Sequence, residues 1–136
     1  MSCAIDEFDT IDDACREALA AKGITNSDQL FRKCETPEGR AMLARTTGLK
    51  EPALLKWVLQ IELLCLPSLG PGYLNLLFAA GIESIDHLRG ADAERLIGRL
   101  AAAKRNVRSA KRTRLPSHGM VDEWVAAAAR VSSKFT

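Results

Sequence analysis

Apolar residues recur every three or four positions along most of this chain, and glycine, proline and short polar clusters cut the runs they form. That spacing belongs to helices that bury one side. Strand-like alternation of β-branched residues is missing, so the pattern predicts an all-α domain. Thr36-Pro37 reads as an N-cap followed by proline in the first turn, opening a helix to about Thr47 with Gly48 as its stop. Glu51-Pro52 opens the next, to about Leu64. Asp92 caps ADAERLIGRLAAAK, in which Ala93, Leu96, Ile97 and Leu100 form an apolar stripe while Arg95 and Arg99 share the other side. NVRSAKRTRLPS is polar and basic, a loop or frayed helix ended by Pro116. HGMVDEWVAAAARV makes a last helix with Met120, Val121, Trp124 and Ala128 at core spacing, and Trp57 sits on another apolar face.

One stretch of this pattern occurs twice. LAAKGITNSDQL (19–30) and LFAAGIESIDHL (77–88) align at an offset of 58, pairing Leu19 with Leu77, Ala21 with Ala79, Gly23 with Gly81, Ile24 with Ile82, Asp28 with Asp86 and Leu30 with Leu88. In each, glycine ends a helix in the left-handed conformation and isoleucine drops into the core. A polar residue, Ser27 or Ser84, then caps a short second helix. Upstream the copies part. Ile11-Asp12-Asp13-Ala14 stands where the other copy has Leu69-Gly70-Pro71-Gly72. In the first, Thr10 and Asp13 have the spacing of a capping box, and the carboxylates suit the helix dipole. In the second, Gly70 is the N-cap and Pro71 the first helical residue, leaving the amides of Gly72, Tyr73 and Leu74 without an intrahelical acceptor. Orphan donors at the positive end of a dipole attract anions. Tight packing of two core helices explains the same residues, and both readings stand. Tyr73 is placed either to meet a phosphate or base, or to pack half-buried with its hydroxyl in water.

Charge bears on the choice. The 136 residues carry a net +2, but residues 1–68 hold eight Lys/Arg against eleven Asp/Glu, and residues 69–136 hold eleven against six. Between 89 and 114 there are nine basic side chains and two acidic ones. Arg95, Arg99, Lys104, Arg105, Arg108, Lys111, Arg112 and Arg114 are therefore candidates for contacts to a nucleic-acid backbone, with a solvated basic surface as the alternative. Other chemistries find no residues to carry them. The cysteines (Cys3, Cys15, Cys34, Cys65) make no CxxC, and neither His87 nor His118 sits at ligand spacing from one, so no metal or cofactor is expected. Cys15 and Cys34 read as small buried apolar groups, and the histidines as surface or capping residues. ALLKWVLQIELLCL is too short and too interrupted to span a bilayer. MSCAIDEFDT is charged where a secretory signal is apolar, so a cytoplasmic protein is expected. There is no Ser-His-Asp ordering, metal-binding carboxylate cluster or phosphate loop, and the expectation is a protein that is not an enzyme.

Leu66, Pro67, Leu69, Gly70 and then Leu77, Gly81 and Ile82 resemble the helix-hairpin-helix motif, whose backbone holds nucleic-acid phosphates without reading sequence. Ser68 replaces that motif's first glycine, and Gly72 stands where lysine is often found. More widely, GITNSDQLF, TPEGRAMLARTTGL, LLKWV, LPSLGPGYLNLLFAAGIESIDHL and RLPSHGMVDEWVAAAARV, spanning about 18 to 131, look like a bacterial family known as domain-of-unknown-function family 4332. The resemblance implies one all-α domain of two helix-hairpin-helix-like (SAM/HhH-like) units plus a tryptophan helix. Its parts would be a degenerate first unit over 10–50, a second over 51–104, a basic loop over 105–117 and a C-terminal helix over 118–133. Weak, sequence-independent binding of nucleic acid, with DNA the expected form, is the leading expectation. Protein interaction or self-association through degenerate hairpins is its rival, and an accessory domain whose partner supplies the chemistry is a third.

Overall fold

Helices form where the apolar spacing places them. The computed structural model describes residues 3–106, 114–131 and 133. Among these, the α-helices are α1 (Asp13–Ala20), α2 (Ser27–Cys34), α3 (Pro37–Thr47), α4 (Glu51–Glu62), α5 (Pro71–Ala79), α6 (Ile85–Leu88), α7 (Ala93–Ala103) and α8 (His118–Arg130). Short 3-10 turns occupy Ile5–Glu7, Leu63–Cys65 and Lys104–Asn106. The described residues hold no strand, and one isolated antiparallel bridge joins Ala4 to Asn26. The chain is all-α.

The repeat is visible in the backbone. At the end of α1, the Ile24 amide donates to the Leu19 carbonyl (3.0 Å) and the Gly23 amide to Ala20 (2.9 Å). At the end of α5, Ile82 donates to Leu77 (2.9 Å) and Gly81 to Phe78 (3.0 Å). Both are Schellman closures, with glycine at a φ of 77° in one and 92° in the other. Leu19, Ile24, Leu77 and Ile82 are all buried beneath them. The helices that follow start at matching positions, with Asn26 and Ser84 as N-caps. Gln29 Oε1 accepts from the Thr25 amide (2.7 Å), and at the same offset His87 Nδ1 accepts from Glu83 (3.0 Å).

Ser84 and Asp92 hold the expected N-cap positions without a side-chain cap hydrogen bond, and two other expected caps are corrected. Ser27 is the first residue of α2, not its cap; its hydroxyl accepts from the Cys3 amide (3.0 Å), while Asn26 Oδ1 takes the Gln29 amide (2.9 Å). Nor do Thr10 and Asp13 form a box. Asp12 is the N-cap of α1 and accepts from the Cys15 amide (2.8 Å), while the Thr10 hydroxyl donates to Gln60 Oε1 (2.8 Å) on α4. Of the cysteines expected inside, Cys34 is buried, but Cys15 is only partly covered.

One core serves both copies. Ile5, Phe8 and Ile11 are buried in it, and Asn75 on α5 secures that N-terminal segment, donating to the Glu7 carbonyl (2.6 Å) and accepting from the Asp9 amide (3.0 Å). Helix α8 packs on α6 and α7 with Val121, Trp124 and Ala128 buried and Met120 at the margin. No helix among the described residues is long and apolar enough to cross a membrane.

Candidate nucleic-acid interface

The turn at 66–70 and the start of α5 form the core of the predicted site. Gly70 is the N-cap, in extended backbone (φ −93°), and Pro71 follows in the first turn. Leu74 departs from expectation, because its amide donates to the Gly70 carbonyl at 2.9 Å. Gly72 and Tyr73 keep their amides out of the helix ladder, and Gly70 has no side chain to cap them. Residues 70–73 are partly exposed, and the Cβ position of Gly70 faces no atom within 4 Å. Among the described residues, the open donors are thus those of Gly72 and Tyr73.

Helix α8 braces this turn. The Trp124 indole N–H donates to the Pro67 carbonyl at 2.8 Å, and the half-buried Tyr73 ring meets Trp124 edge to face with centroids 5.3 Å apart. Ser68, between them in sequence, has a φ of 60°, the left-handed region that serine enters at a cost. Arg89 secures the other end of α8. Its Nε donates to the Ala128 carbonyl (3.0 Å), and its guanidinium also reaches the Val131 carbonyl and Asp86. Ser133 donates to the buried Glu62 at 2.7 Å.

The basic candidates divide. Arg99 donates to the Ala80 carbonyl, neutralising the C-terminal end of α5. That seat lies about 13 Å along the nine-residue α5 from the open amides, so Arg99 and those amides do not share one phosphate. Arg95 is extended into solvent, with its Nε 3.7 Å from Asp92. The turn Lys104–Asn106 packs on α5, with Lys104 half-buried and Arg105 exposed. Arg114 is exposed. Arg108, Lys111 and Arg112 lie outside the described residues. Structural use of arginine was the signal missed in the sequence: Arg40, too, donates to the Cys34 carbonyl (2.9 Å) at the end of α2.

The cysteine thiols are all held above their ordinary range. Burial pushes Cys34 up to about 11 and raises Cys3, Cys15 and Cys65 as well, so they stay protonated. His118 lies 3.0 Å from Asp122, one turn along α8.

Neither a curated protein nor a solved structure matches the chain. A family model described as Domain of unknown function (DUF4332) matches residues 9–131, the span that holds both glycine corners and the bracing helix, and the chain belongs to that family.

Proposed function

We propose that the chain binds nucleic acid weakly and without sequence preference, through its phosphate backbone. One observation carries the reading: the Cys15 amide is capped by Asp12, whereas the Tyr73 amide, its counterpart 58 residues on, faces a glycine cap. Where the first copy holds its own anion, the second leaves the place open. The backbone of Gly70, Gly72 and Tyr73 would seat one phosphate, and Arg95, Lys104, Arg105 and Arg114, with Arg108, Lys111 and Arg112, would engage its neighbours. Arg99 would support the site by holding the far end of α5. Contact with about four phosphates gives a log–log salt slope near −3.6, on the order of a hundredfold loss between 50 and 200 mM salt.

Titration of labelled duplex DNA at rising salt tests this, with Gly70→Asp as the decisive variant. The substitution recreates the Asp12 cap in backbone that already matches it, φ −93° against −76°, and in open space. Binding falls at least about tenfold while the fold is retained. Absence of DNA binding at low salt overturns the whole reading. Equal binding by the variant removes the hairpin from it. Salt-sensitive self-association without DNA affinity favours an interaction module instead.

A further inference from the structure

The two glycine corners differ in what stands behind them. A Cβ on Gly81 would come within 2.9 Å of the Arg99 guanidinium, whereas one on Gly23 would meet nothing within 4 Å. Among the described residues no arginine closes the first corner, and a groove of about 210 Å³ opens there between α2 and α3. Ile24 and Leu43, both buried, form its floor, and Met42 stands at its edge with 60% of its surface exposed. Lys22 and Lys33 line its rim, and among the described residues neither is paired with a carboxylate.

Size and charge define the occupant. Small-molecule pockets run from roughly 300 Å³ upward, so this groove suits one or two apolar side chains of a larger partner. Two unpaired ammonium groups beside an apolar floor complement a segment whose hydrophobic anchor is flanked by carboxylates. The most acidic stretch of a second copy does not supply it. The chain's own acidic stretch, residues 6–17, has its large apolar residues, Phe8 and Ile11, buried in the core. We propose that the α2–α3 groove docks an acidic segment of a different protein, seating an apolar side chain against Met42 and Leu43 with carboxylates on Lys22 and Lys33.

The test follows the Met42 methyl group by NMR during titration with a short synthetic peptide of two leucines flanked by glutamates. The expected result is a saturating shift at Met42, no matching shift at Met120, and no response to the same peptide with lysines in place of the glutamates. In the Lys22→Glu/Lys33→Glu double variant, binding weakens by about tenfold or more. Both side chains are exposed but stand at the ends of α1 and α2, so its melting temperature falls by no more than a few degrees and the fold is kept. The proposal is overturned if Met42 stays unmoved by the glutamate peptide or if the double variant binds it equally well. It is also overturned if Met42 shifts with protein concentration alone, which marks a second copy, or if it responds to duplex DNA in place of the peptide.

Discussion

The two corners of this protein share a backbone and differ in their attachments. At the start of the first copy, Asp12 fills the helix cap, and at its end the space behind Gly23 is empty. The second copy reverses both: Gly70 leaves the cap open, and Arg99 fills the far end. Each unit is closed at one pole and open at the other. The hydrogen bonds common to both, Ile24 to Leu19 and Ile82 to Leu77, belong to the shared fold, while the residues that differ set the charge and the open donors at each end.

The shared part is the costliest to disturb. Leu19→Ala and Leu77→Ala each remove a fully buried side chain from beneath a corner, and each costs about 2–5 kcal/mol in urea unfolding. A large inequality between the two breaks the comparison, because it means that one corner leans on its neighbours more than the other. Arg99→Gln withdraws the cation from the end of α5 and costs about 1 kcal/mol by the same measurement. Unchanged stability would leave Arg99 as a free surface charge, available to a ligand after all. Ser68→Gly acts in the opposite sense. It relieves a left-handed serine that has no counterpart in the first copy, and raises stability by about 0.5–1 kcal/mol.

The caps supply the finest distinction. The Cys15 amide bonds to the charged form of Asp12 and holds its carboxyl below the ordinary 3.8. The stabilisation is therefore whole above that value and is withdrawn as the pH falls through the lower folded-state one. Asp12→Ala lowers the melting temperature by a few degrees at pH 7, and the gap closes in acid. Gly70→Asp is its mirror image, raising the melting temperature by about a degree at pH 7 and losing that gain in acid. A pH-independent change in either variant would mean that the carboxylate is not the cap.

Much of this was legible in residue order. Proline after threonine, glycine before isoleucine and the apolar stripes are local signals, and they placed α3, α7, α8 and both corners. What stayed hidden depends on partners distant in sequence. Thr10 looks like a cap until Gln60, fifty residues away, takes its hydroxyl. Ser27 looks like another until the Cys3 amide donates to its hydroxyl oxygen. Arg99 belongs to the basic candidates by composition, and only the packing of α7 on α5 brings it to the Ala80 carbonyl. Within the candidate site, the cap position and its proline could be read directly, whereas the brace from Trp124 to Pro67 could not.

That brace has a consequence for synthesis. The backbone bonds that close the first corner all lie between residues 19 and 24, so none of them waits for a later segment of the chain. The turn at Pro67 is different, since its indole partner emerges 57 residues later. Until then Ser68 has nothing from α8 to hold it in an unfavourable conformation, so the second unit takes its final shape only after translation has passed Trp124.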